Sequence, residues 1–213
     1  MRTLLLAVAS ILAAAAASSA SAAPPKVGKL VLEPTQVGDG FVLVPRRDGV
    51  GVHGTVTMDL CGTDYASEKL RVSRLQVDYL KQASTFGLSN EVVVYKAGGA
   101  VQAMREALTH ALTCPHHAIR TAGLPPLRFT ITRISDSRLL KGYLAVRVRV
   151  TGRVQGKRVD QTSYAVYQRL GNVLSGVYSF GPATKAQLRF CLHAAEESAR
   201  NLRLGGRPGG PTA

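Results

Sequence analysis

An α+β fold, with an antiparallel sheet of about six strands and two amphipathic helices packed on one face, is what this sequence predicts. Three observations carry that expectation. Apolar and polar residues alternate with period two in several segments, the mark of half-buried strands. Two stretches, one ending near Leu112 and one running from about Ala183 to Leu204, instead repeat at helical spacing. The joins between neighbouring strands are also too short for parallel crossovers, so the strands pair antiparallel.

The chain opens with Arg2 and the uncharged apolar run Leu4 to Ala17, then the small residues Ala20-Ser21-Ala22. That is the layout of a secretory signal peptide over residues 1–22, cleaved near Ala22. The mature product is expected to be secreted, extracellular or periplasmic. It keeps about 190 residues, enough for one domain with its own core at 23–204. RPGGPTA ends the chain as a flexible tail within 205–213.

Val27 to Leu32 reads as an edge segment and Phe41 to Val44 as a short strand between glycines and Pro45. From Val52 to Leu60 apolar and polar residues alternate, with His53 on the polar side. Ser67 and Glu68 start a short helical turn. Leu75, Val77 and Tyr79 then share one strand face, opposite Arg74, Gln76, Asp78 and Leu80. Glu91 to Tyr95 is a compact strand, placed to pair with its predecessor as a long-looped hairpin.

Gly98-Gly99 precedes the first helix, whose stripe is Val101, Met104, Leu108, Ala111 and Leu112, and Pro115 stops it. Phe129 and Ile131 seed a strand after the loop closed by Pro125-Pro126. Leu144, Val146, Val148 and Val150 alternate with Ala145, Arg147, Arg149 and Thr151. Gln155-Gly156 and Gly171-Asn172 are turns, so this strand, Val159 to Arg169 and Val173 to Phe180 form a meander. Leu188, Cys191, Ala195, Ala199 and Leu202 line the last helix, which ends at Gly205-Gly206.

Lys and Arg number 27 against 13 Asp and Glu, giving +14, or one less once Arg2 is removed. An exported chain with this charge favours anionic partners: an acidic envelope polymer, a lipid surface or a small ligand. The absence of Trp and the few aromatics argue against a stacking platform for nucleic acid. Arg147, Arg149 and Arg153 share one strand face opposite the valines, and Arg71 and Arg74 follow Cys61. If both helices cover the valine face, these five arginines line the open face and can clasp phosphate or carboxylate bidentately.

No G-x-S-x-G, H-E-x-x-H or Walker-type loop occurs. The reading is therefore a non-catalytic monomeric binding domain with no implied cofactor, the alternative being a secreted hydrolase with a dispersed active site. His110, Cys114, His116, His117, Cys191 and His193 contain soft metal ligands, but their spacing fits no standard zinc site and no metal is assigned. Gly98-Gly99 before a helix is first a turn, and only secondarily an anion cradle.

The strings LCGTDYASEKLRVSRLQVDY, SNEVVVYKAGGAVQAMREAL and NVLSGVYSF resemble those of a family of uncharacterised exported proteins from actinobacteria. That family is similar, at greater distance, to the extracellular sensor-like domains attached to some bacterial serine/threonine kinases. The resemblance implies an α+β domain with a cleft between sheet and helices and a binding or sensing role. Neither a kinase domain nor a membrane anchor is expected in this chain.

Cys61 ends a strand and Cys114 ends a helix, both where loops converge, and the two match the family's cysteine pair. Cys191 sits on the apolar face of the last helix and reads as a buried thiol, with pairing to another cysteine or across two chains as its rival. Non-reducing peptide mapping of the exported protein is expected to return one linked peptide containing Cys61 and Cys114. Reduction should then lower stability by roughly 4 kcal/mol, from the loop entropy of a crosslink of this span.

Overall fold

Among the residues described by the computed structural model (26–53, 64–81, 84, 86–113, 118–119, 127–181 and 184–205), one antiparallel sheet organises the chain. A 3-10 turn at Val27–Lys29 and the single-turn helix α1 (Pro34–Val37) lead into β1 (Phe41–Pro45). A second 3-10 turn, Ala66–Leu70, precedes β2 (Arg71–Lys81) and β3 (Gly87–Tyr95). Helix α2 (Gly99–Thr113) leads to the two-residue β4 (Ala118–Ile119) and to β5 (Leu127–Ile134). The meander β6 (Leu144–Val154), β7 (Lys157–Leu170) and β8 (Val173–Phe180) follows, and α3 (Lys185–Gly205) closes the described chain.

The spatial order is β1-β2-β3-β8-β7-β6-β5-β4, with every neighbour antiparallel. The α+β class stands. Among the described residues, seven strands of five residues or more, plus the short β4 at one edge, stand where about six were expected. The meander forms as read; the hairpin β2–β3 also forms, but β3 starts at Gly87 rather than Glu91 and shortens the expected loop, and β8 returns to pair with β3, joining the two halves of the chain.

The two helices do not share a face. Leu88, Val92 and Val94 of β3 join the core under α3, together with Val77 and Tyr79 of β2 and Val173 and Val177 of β8. Val93 and Tyr95, the alternate residues, join Leu144, Val146, Tyr167 and Leu174 under α2. The reason lies in β3, whose nine residues are all buried. A strand apolar on both faces needs a layer on each side, and one helix supplies each.

Helix α2 also turns its contact face toward smaller residues. Ala100, Ala103, Ala107 and Ala111 are buried with Met104, while Val101 is 42% and Leu112 57% exposed. Small side chains let the helix approach the sheet closely, and Gly99 does the same at its first turn. A Cβ there would lie 2.8 Å from Tyr95 Cβ and 3.0 Å from Leu70 Cβ. Gly98, with φ +79, makes the turn. The glycine pair thus serves chain reversal and packing.

Val27 to Leu32 is not a strand. Its amides close a 3-10 turn, with Leu30 N–H on Val27 O at 3.0 Å. Leu30, Val31 and Leu32 then enter the α3-side core, each burial contributing about 1.5–3 kcal/mol. Polar stitches fix this layer. Leu32 N–H donates to Asn90 Oδ1 at 2.9 Å, Tyr79 O–H donates to Leu32 O, and the Gln168 amide bridges Leu140 N–H and Ala195 O.

The expected signal peptide, residues 54–60 of the expected third strand, both cysteines of the expected disulfide and residues 206–213 lie outside the described residues. Among the described residues no helix is long and apolar enough to cross a membrane. Cys191 is buried, with its thiol 3.7 Å from Tyr164 O.

Burial pushes the Cys191 thiol up from 9.0 to about 12 and the Tyr95 hydroxyl up from 10.0 to about 12. Both groups stay protonated in the folded chain at pH values where the unfolded chain ionises. Their stabilising contribution is therefore complete below pH about 9 and is lost as pH climbs toward about 12, at roughly 1.4 kcal/mol per unit for each group. Urea midpoints measured from pH 8 to 11 should fall accordingly, with a shallower fall in Cys191→Ala. Iodoacetamide should leave Cys191 unmodified until the chain unfolds.

Candidate functional site

The five arginines singled out in the sequence divide between the two faces of the sheet. Arg74 of β2 points to the α2 face, because Leu75, Val77 and Tyr79 take the other. It is 2% exposed and ion-paired to Glu91 of β3, itself fully buried. Its guanidinium also donates to Asp48 O at 2.9 Å, Gly51 O at 3.1 Å and Gln76 Oε1 at 2.5 Å. Arg71, also buried, pairs with Glu68 at 3.1 Å. These two arginines hold the fold together and are not open to a ligand.

Arg147, Arg149 and Arg153 do share a face, as period two requires, and it is the α3 side. Their neighbour Ala145 belongs to the core under α3, while Val146 and Val148 pack toward α2. Helix α3 lies across β7 and β8, so the outer part of β5–β6–β7 is left bare. The sheet register adds Arg128, opposite Thr151, and Arg158, opposite Arg153. Asp160 is the one carboxylate that these three strands place on that face. Arg149 grips it bidentately at 2.8 and 2.7 Å and holds its carboxyl below the usual carboxylate range.

A cleft of about 480 Å³ opens on the opposite, α2 face, beyond the end of the helix. Gln76 and Asp78 of β2, Ser89 and Glu91 of β3, Phe129 of β5 and Tyr178 and Phe180 of β8 line it, with Arg46 at its side. Gln76 passes the Arg74–Glu91 pair on to the cleft, accepting from Arg74 and donating to Ser89 Oγ at 2.9 Å. Arg46 reaches Asp48 at 3.3 Å and Asp78 at 3.5 Å. Tyr178 packs edge-on against Tyr167, ring centres 5.6 Å apart, and burial drives its hydroxyl pKa well above 10.0. Gly176, two residues earlier on the same face, leaves the space in which the Tyr178 ring lies.

Sequence reasoning placed Gln76 and Asp78 on the polar face of their strand but gave them no role, and it passed over Arg46 and Glu91. Glu91 carried a usable signal. A lone carboxylate opening the run EVVVY in a central strand must be buried, and a buried charge requires a cation. Arg74, four residues into the preceding strand, is that cation.

The soft-ligand set does not assemble among the described residues, where no three His, Cys, Asp or Glu side chains cluster. Cys191 faces the sheet while His193 is exposed, so the two cannot point at one ion. His110 packs edge-on against Tyr65 at 4.9 Å. Cys114, His116 and His117 are outside the described residues.

Removing one partner of the Arg74–Glu91 pair strands a buried charge. Glu91→Ala and Arg74→Met are each expected to lose about 3–5 kcal/mol in urea unfolding. The double variant Arg74→Met/Glu91→Met should lose clearly less than the sum.

No family model matches the chain, and no curated protein matches it significantly. Among solved structures it is similar to the extracellular domain of PknH from Mycobacterium tuberculosis. The TM-score is 0.50 and the identity 12%, over 81% of this chain and 94% of that one. At that identity the likeness is one of fold: the strand and helix arrangement described above is shared with an extracellular domain.

Proposed function

We propose that the chain is an exported, non-catalytic binding domain of sensor-like type that engages an anionic ligand or surface at the cell envelope through its arginine face. The observation that carries this reading is the array Arg128, Arg147, Arg149, Arg153 and Arg158 on the bare part of β5–β6–β7, set against the single carboxylate Asp160. Arg153 and Arg158 stand directly opposite each other across two strands. Like charges in that position destabilise a sheet, a cost that the Arg158–Asp160 contact at 3.4 Å offsets only in part. A bound polyanion relieves the repulsion and is held by the guanidinium groups. The extracellular setting of the PknH domain and the net charge of +14 support the same reading.

The test is binding to sedimentable anionic envelope material, prepared from the host and washed free of protein. Reversing Arg147→Glu with Arg149→Glu is expected to weaken binding by roughly 2 kcal/mol, about thirtyfold, since each cation near an anionic surface contributes about 1 kcal/mol. Raising the salt toward 1 M should release the unaltered protein, because screening shortens to about 3 Å. Binding that is unchanged in the double variant places the contact elsewhere.

A further inference from the structure

The cleft on the α2 face has a different chemistry from the rest of the surface. In a chain of net charge +14 it is electrically balanced, with Arg46 set against Asp78 and Arg74 set against Glu91. An anion entering it would meet the Asp78 carboxylate, and Arg46 at its side and Arg74 buried behind Glu91 are already engaged. A simple cation would meet Arg46. The unfilled capacity is of another kind. Asp78 Oδ1 is withdrawn from solvent and accepts no hydrogen bond among the described residues. The Gln76 amide uses one N–H on Ser89 and has a second to give. Around these groups stand aromatic rings: Phe129 on one strand, and Tyr178 and Phe180 on another.

Planar polar side chains beside aromatic faces suit a molecule with hydroxyl groups around its rim and C–H groups on its flat sides. A sugar ring has that form. Its hydroxyls donate to a carboxylate and accept from an amide, while its C–H face lies on an aromatic ring without a charge to neutralise. A volume of about 480 Å³ is at the smaller end of ligand pockets and accommodates one or two rings. We propose that the cleft is a carbohydrate site that takes a neutral mono- or disaccharide unit, with Asp78 and Gln76 reading hydroxyls and Phe129, Tyr178 and Phe180 forming the apolar platform. This site is on the opposite side of the sheet from the arginine array and does not depend on it.

The experiment is saturation-transfer NMR on the mature full chain, with the methyl glycosides of glucose, galactose, mannose, N-acetylglucosamine and arabinose as probes. Tetramethylammonium and inorganic phosphate serve as charged comparators. The expected result is saturable transfer to at least one glycoside, weakened about tenfold or more by Asp78→Ala, where a hydrogen bond to a charged group is lost. Phe180→Ala, at an exposed position, tests the platform without disturbing the core and should also weaken it. Arg147→Glu with Arg149→Glu should leave it unchanged. Transfer to none of the five glycosides overturns the proposal. So does binding of tetramethylammonium or phosphate in the cleft with no glycoside bound, or glycoside binding that both Asp78→Ala and Phe180→Ala leave intact.

Discussion

Strand β3 is the constraint from which the rest of the architecture follows, because its nine residues have no solvent face and lie between β2 and β8 in the middle of the sheet. Each side of such a strand must be covered, and α2 and α3 take one side each. Neither helix spans the full sheet. α2 sits over the end that holds Val93 and Tyr95, and α3 runs over β7 and β8. What they leave bare is the cleft on one face and the arginine array on the other. Both candidate sites are thus consequences of covering a two-sided sheet with two helices of limited reach.

Burying Glu91 within β3 is the polar exception in this scheme. A carboxylate there is tolerated only because Arg74 meets it from β2 and three further acceptors take most of the remaining guanidinium protons. The backbone carbonyls of Asp48 and Gly51 are two of these acceptors, so the pair also anchors the segment after β1 against the sheet. Gln76 is the third, and through it the buried pair fixes the amide that faces the cleft. An apolar pair would hold the strands as firmly but would position neither the loop nor the amide.

Much of this was legible in the sequence, where local period decides. The faces of β2 and β6, both long helices and the turns at Gln155-Gly156 and Gly171-Asn172 follow from spacing alone. The relation of the helices to the sheet did not, because the run Val92-Val93-Val94 does not alternate and so carries no face assignment. Ranking residues by size also misled. In α2 the larger Val101 and Leu112 face outward while alanines make the contact, since close approach rewards small side chains. Of the candidate site, the shared face of Arg147, Arg149 and Arg153 was readable by period two. That Arg71 and Arg74 lie across the sheet from them was not, because that depends on which face each helix takes.

The two sites stand back to back through β5, β6 and β7, and this has a geometric consequence. Val148 lines the cleft, while Arg147 and Arg149 on either side of it project from the opposite face. A domain held on an anionic surface by its arginines therefore turns its cleft away from that surface, open to molecules in the surrounding medium. Placing the cationic groups inside the cleft would have let the surface polyanion compete for it. Placing them on opposite faces of one sheet removes that competition. The balanced charge within the cleft has the same effect, since it gives the polyanion no second place to bind.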